Sequence, residues 1–133
     1  MMKTVNQSND INYNIQVEVQ TEFLEHQSEP DENYFVFSYV ITLHNRGNIP
    51  AKLIARHWII TDGNGVKKEV HGKGVVGAHP HLQPGESYSY SSGAIIQTPV
   101  GSMQGTYHMQ ADDGTRFESI IEPFRLAINE LVH

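Results

Sequence analysis

Between residues 15 and 23 the chain alternates without a break, Ile15, Val17, Val19, Thr21 and Phe23 against Gln16, Glu18, Gln20 and Glu22. A period of two puts these sets on opposite sides of an extended chain, so the segment predicts a strand with one buried and one wet face. The acidic stretch EHQSEPDEN (25–33) is too polar to pack and predicts an exposed connection. In YFVFSYVITLH (34–44), Phe35, Phe37, Tyr39, Ile41 and Leu43 share one face and Val36 and Val40 the other. Its aromatic and β-branched content predicts a central strand.

NRGNIP (45–50) has the residues of a tight loop, and KLIARHWIIT (52–61) resumes a strand with Ile54, Trp58 and Ile60 expected inward. DGNG (62–65) marks a hairpin, because Asn and Gly accept the positive φ such turns demand. Residues 66–71 then return as its partner. Pro84 and Gly85 form another turn signal, followed by Tyr88 and Tyr90 alternating with serines. AIIQTPVGSMQG (94–105) carries Pro99, which predicts an edge or a crossing between sheets. GTYHMQA (105–111) and TRFESII (115–121) flank DDG (112–114), a further hairpin. EPFRLAINELVH (122–133) either extends that last strand or forms a tail.

No amphipathic helix interrupts this series. Seven to eight strands at short spacing predict an all-β, antiparallel sandwich with an immunoglobulin-like arrangement. Tyr107 stands where such folds place a tyrosine corner. The 133 residues make a single domain, 1–133, with residues 1–13 and 127–133 expected as flexible ends.

Composition removes several function classes. With no cysteine, disulfides, thiol catalysis and Cys-based metal sites are excluded, and a cytoplasmic location is expected. No apolar run approaches the roughly 20 residues of a membrane-spanning helix, so no membrane insertion is expected. MMKTVNQSNDINYN (1–14) lacks the apolar centre of a secretory signal. The net charge of −6, with basic residues scattered apart from Lys67 and Lys68, argues against a nucleic-acid partner.

The segment GKGVVG (72–77) matches G-x-G-x-x-G, a pattern that binds dinucleotides when it leads into a helix. Here Ala78-His79-Pro80-His81-Leu82-Gln83-Pro84-Gly85 follows, and two prolines and a glycine cannot carry that helix. A P-loop fails too, since Gly74 follows Lys73 where Ser or Thr is required. Two readings remain. Gly72, Gly74 and Gly77 with Lys73 form an anion-binding nest, or the glycines let the chain cross between sheets or approach another backbone.

His79 and His81, near His71, raise a metal site, but Pro80 disrupts a regular strand there and spacing fixes no third ligand, so none is assigned. DGNG lacks the later glycine and closing glutamate of a calcium loop. No G-x-S-x-G or H-E-x-x-H is present, and adjacent Asp112 and Asp113 splay apart instead of pairing. No cofactor and no catalytic residue is expected.

HGKGVVGAHPHLQPGESYSYSSG (71–93), with NRGNIPAKLIARHWIITDGNG upstream and GTYHMQADDGTRFE downstream, resembles the bacterial ApaG family over about residues 15–126. The resemblance implies an immunoglobulin-like or fibronectin type III-like β-sandwich. It also implies a genetic link to cobalt resistance and magnesium efflux, a protein-interaction role for related domains, and nucleotide or pyrophosphate binding at the positions of Gly72, Gly74 and Gly77. The leading expectation is therefore a non-enzymatic, protein-binding adaptor or regulator with an unidentified protein partner, leaving room for a homodimer. The alternative is a sensor of pyrophosphate or a phosphorylated metabolite at residues 72–77.

Overall fold

The computed structural model describes residues 11–128. Eight strands follow in chain order: β1 (Ile15–Phe23), β2 (Phe35–Asn45), β3 (Ala51–Asp62), β4 (Lys67–Lys73), β5 (His81–Leu82), β6 (Ser87–Ile96), β7 (Val100–Ala111) and β8 (Arg116–Ala127). They form two antiparallel sheets, β1-β2-β6 and β4-β3-β7-β8, with the short β5 also on β3. The chain is a β-sandwich, as the alternation predicts.

The alternating apolar sets of facing strands meet between the sheets. Phe37, Ile41 and Leu43 of β2 lie in one core with Leu53 and Trp58 of β3, Tyr107 and Met109 of β7, and Ile121 of β8. Each such side chain removed from water contributes about 1.5–3 kcal/mol. Tyr39 and Trp58 touch across the sandwich with ring centroids 5.6 Å apart. Ser119 Oγ of β8 donates to the Ile15 carbonyl at 2.8 Å, joining β8 to the strand that begins the other sheet.

Three expectations need correction. Leu53 is fully buried and Ile54 only partly, because the β3–β7 register slips between Leu53 and Ala55. A bulge reverses the alternation on one side of it, so a strand read with one phase assigns the wrong residue inward. Tyr107 lies mid-strand in β7, and its hydroxyl pairs with that of Tyr90 in β6. It is thus an inter-sheet tie rather than a corner.

Residues 72–77 do not cross between sheets, since β4 and β5 both pair with β3. The chain crosses at residues 46–50 from β2 to β3, through Pro84-Gly85 into β6 and through Pro99 from β6 to β7. Of the ends expected as flexible, 1–13 and 127–133, residues 11–13 and 127–128 lie among the described residues and make contacts. The Tyr13 hydroxyl donates to Asp113 Oδ2 at 2.6 Å, its ring packs on Phe117, and Ala127 is buried at the end of β8. The rest of those ends, residues 1–10 and 129–133, lies outside the described residues.

Candidate functional site

The β3–β4 hairpin and the glycine segment that leaves it gather most of the residues singled out above. Asp62 organises the turn: its Oδ1 accepts the amides of Asn64 at 2.8 Å and Val66 at 3.0 Å, and Gly65 takes φ +84°. An oxygen held by two N–H groups serves a turn, in agreement with the hairpin reading of DGNG.

Close neighbours constrain Gly72 and Gly74 of GKGVVG, and backbone conformation constrains Gly77. Gly72 stands opposite Arg56 in the ladder, and a Cβ there would come within 2.5 Å of the guanidinium. Arg56 Nη1 donates across that space to the carbonyls of Lys73 at 3.2 Å and Gly74 at 2.8 Å. Gly74 has φ +60°, and a side chain on it would collide with the Ala78 carbonyl. Val76 and Gly77, at φ +46° and +79°, are the central residues of a two-residue turn closed by Val75 N to Ala78 O at 2.8 Å and Ala78 N to Val75 O at 2.9 Å. Positive φ at both centres is the signature of a type I′ turn.

Around the expected anion nest at Gly72, Lys73, Gly74 and Gly77, two amides are already bonded to backbone carbonyls. The Gly74 amide donates to the Ile54 carbonyl at 2.9 Å and the Val75 amide to Ala78. What converges is a pair of carbonyls, and a cation already lies on them. Lys73 is exposed at the end of β4. The glycines do not serve a crossing between sheets, and the contact at Gly74 is a close approach of backbones.

The histidines also sort differently from the sequence reading. His79 precedes β5 and its Nδ1 faces the Leu53 carbonyl at 3.2 Å, whereas His81 Nε2 pairs with Asp112 Oδ1 at 2.8 Å. They do not form a two-ligand face, because only His81 belongs to a strand. His81 and Asp112 instead line an open groove of about 510 Å³ with Lys52, Ile54 and Gln110. His71 joins a different group, His57 of β3 and Glu69 of β4.

That group follows from register. His57 faces His71 across the ladder, and Glu69 lies two residues from His71 on the same side of β4. The rings stack with centroids 4.1 Å apart and planes 7° from parallel. Glu69 Oε1 lies 3.4 Å from His57 Nε2 and 3.5 Å from His71 Nε2. His57 Nε2 is shielded from solvent and, among the described residues, has no hydrogen-bond partner. Sequence reasoning missed the trio because fourteen positions separate His57 from His71. The DGNG turn was the available signal: a hairpin that sets Asp62 opposite Val66 pairs 57 with 71.

A second line of chemistry crosses the other sheet. His44 Nδ1 lies 2.6 Å from Ser87 Oγ and its Nε2 3.2 Å from Glu18 Oε1. Nucleophile, base and acid types thus align over β6, β2 and β1. The amides of the central β2 are committed to ladders on both sides, however, so it offers no N–H pair for a developing oxyanion. The arrangement is a cross-strand polar ladder.

Comparison with known proteins supplies the family. The model of the ApaG domain matches residues 25–111. The Protein ApaG of Pseudomonas syringae pv. tomato is 54% identical over 124 residues, covering 93% of this chain and 98% of that one. The Protein ApaG of Aromatoleum aromaticum is 54% identical over 121 residues, 91% of this chain and 95% of that one. The crystal structure of an ApaA protein from Bordetella pertussis superposes with a TM-score of 0.87 at 44% identity, over 90% of this chain and 97% of that one. On this evidence the chain belongs to the ApaG domain family.

Proposed function

We propose that this chain is a non-enzymatic binding module that takes an extended segment of a partner protein along the outer edge of β4. The observation that carries the reading is the pairing of β4 on one side only: among the described residues its sole strand neighbour is β3. The bonds Asp62 N to Val66 O and Gly74 N to Ile54 O fix the phase of the ladder at both ends. By the alternation of an antiparallel pair, the backbone groups of Lys67, Glu69, His71 and Lys73 face away from β3. Apart from the Lys73 carbonyl, which Arg56 already holds, such a row of outward donors and acceptors is a template for strand addition.

Side chains narrow the partner. Lys67, Lys68 and Lys73 outnumber Glu69 on this edge of a chain whose net charge is −6. If two copies paired symmetrically through β4 about Val70, Lys67 would stand against Lys73, an unfavourable opposition of like charges. An acidic extended segment meets the same edge favourably. Val66 and Val76, 63% and 65% exposed at either end of β4, supply apolar contacts.

The test is affinity capture from cell extract with the wild-type chain beside Lys67→Pro. Proline at the first strand position removes an outward amide without taking one from the β3 ladder. Partners bound by the wild type and lost from Lys67→Pro are expected. Recovery of the same proteins by both forms, or of none above background, counts against the reading.

A further inference from the structure

From the positions of His57, Glu69 and His71 we infer a binding site for one divalent d-block cation of the Zn²⁺ or Ni²⁺ type on the outer face of the β3–β4 hairpin. The proposed ligands are His57 Nε2, His71 Nε2 and a Glu69 carboxylate oxygen, from three residues that each bring one ligand atom within 4.8 Å of the others. Zn–N and Zn–O bonds of about 2.0–2.1 Å at the tetrahedral angle separate neighbouring ligand atoms by about 3.3–3.4 Å. The two imidazole-to-carboxylate separations, 3.4 and 3.5 Å, match that edge. They exceed the roughly 2.7–2.9 Å of a charge-assisted hydrogen bond.

The third edge of the triangle closes by a small rotation of the exposed ring. His57 is three-quarters buried, whereas the His71 side chain is 69% exposed and free to turn from the stack toward the shared centre. The ladder favours this approach. Ile54–Gly74 and Asp62–Val66 are hydrogen-bonded positions, so His57–His71, an odd number of steps from each, is a non-hydrogen-bonded pair, where facing side chains come closest. The solvent-shielded His57 Nε2 without a hydrogen-bond partner is an independent sign, since a metal would satisfy it.

Ligand chemistry sets the selectivity. Two imidazoles and one carboxylate suit zinc and nickel, whereas magnesium and calcium favour all-oxygen sites. Three protein ligands leave a fourth position facing solvent, open to water or an outside donor. By register Ile59 lies opposite Glu69 and Thr106 opposite His57, both uncharged, while Lys67 and Lys73, two residues to either side of the Glu69–His71 pair along β4, are charged neighbours on the same face.

The inference is separate from the partner-strand reading, because Glu69→Gln leaves the edge backbone intact and Lys67→Pro leaves all three ligands. Calorimetric titration of the full chain with ZnCl₂, in buffer above neutrality, is expected to give one site per chain. Affinity should fall about tenfold or more in His71→Ala and in Glu69→Gln, and be unchanged in His79→Ala/His81→Ala. His71 is largely exposed, so its removal leaves the core untouched. Imidazole ¹⁵N spectra of the wild type should show the Nε2 resonances of His57 and His71 moving together on addition of Zn²⁺. Absence of Zn²⁺ binding, undiminished affinity in His71→Ala, or shifts confined to other histidines would overturn the assignment.

Discussion

Gly74 and Gly77 both hold positive φ, yet their surroundings differ. A Cβ on Gly77 meets nothing within 4 Å, while one on Gly74 meets the Ala78 carbonyl, which the closed turn prevents from moving. Gly77→Ala should therefore cost about 1 kcal/mol, the left-handed penalty alone, and Gly74→Ala roughly 2–4 kcal/mol, with a backbone collision added. Urea denaturation midpoints check the order, and equal losses would contradict this account. Val76 is a β-branched residue at φ +46°, an unfavourable conformation left 65% exposed. Val76→Asn supplies the residue that type I′ turns prefer and should stabilise the fold by about 0.5–1.5 kcal/mol. If the turn belongs to the partner edge, the same change weakens capture.

At the scale of elements, the short Tyr13–Asp113 contact ties the segment before β1 to the β7–β8 hairpin. The Tyr13 hydroxyl, and then the Thr115 amide, hold the Asp113 carboxyl below its ordinary value. A lowered folded-state value stabilises above the ordinary carboxylate range, and this contribution disappears as pH falls through the lowered value. Carboxyl ¹³C titration should return Asp113 upward in Tyr13→Phe; an unchanged midpoint would show that the hydroxyl is not responsible. Asn45, at the end of β2, serves a similar joining role. It is buried, its Nδ2 donates to the Ile49 and Leu82 carbonyls at 3.1 and 2.9 Å, and its Oδ1 accepts the Gly47 amide at 2.8 Å. Asn45→Ala leaves those buried groups without partners and should cost about 2–4 kcal/mol in thermal or urea unfolding. A loss under about 0.5 kcal/mol, that of an ordinary surface change, would refute the role.

The whole molecule is two sheets joined through their core, and the paired Tyr90 and Tyr107 hydroxyls bridge them. Burial is the main cause that raises both hydroxyls above the usual value near 10, and the proximity of the two rings raises Tyr107 further. The folded state thus favours neutral tyrosines. Their contribution is complete below about pH 10 and declines above it, where the unfolded chain ionises more readily. Unfolding free energy should fall with pH above about 10 in the wild type and less steeply in Tyr107→Phe. The variant also loses about 1–3 kcal/mol at neutral pH, from the stranded Tyr90 hydroxyl. Identical alkaline slopes would show that other groups dominate.

Strand identity was legible because it is local. In β1 and β2 the period-two alternation alone decides which side chains face the core, and Asp62 to Gly65 and Asp112 to Gly114 announce their turns by residue type. The absence of a helix after Gly77 was legible too, from Pro80 and Pro84. Less could be read where one residue shifts a pattern: the bulge at Ile54 reverses inward and outward, and nothing in its composition distinguishes it. The candidate site lay beyond sequence reading for a different reason. His57, Glu69 and His71 acquire a common centre only through the register of β3 on β4, and Gly72 and Gly74 acquire their purpose from Arg56 and the Ala78 carbonyl. Alternation and turn chemistry determine strands because each depends on residues within a few positions; contacts between elements depend on how the sheets pair and pack, and only the tertiary structure decided those.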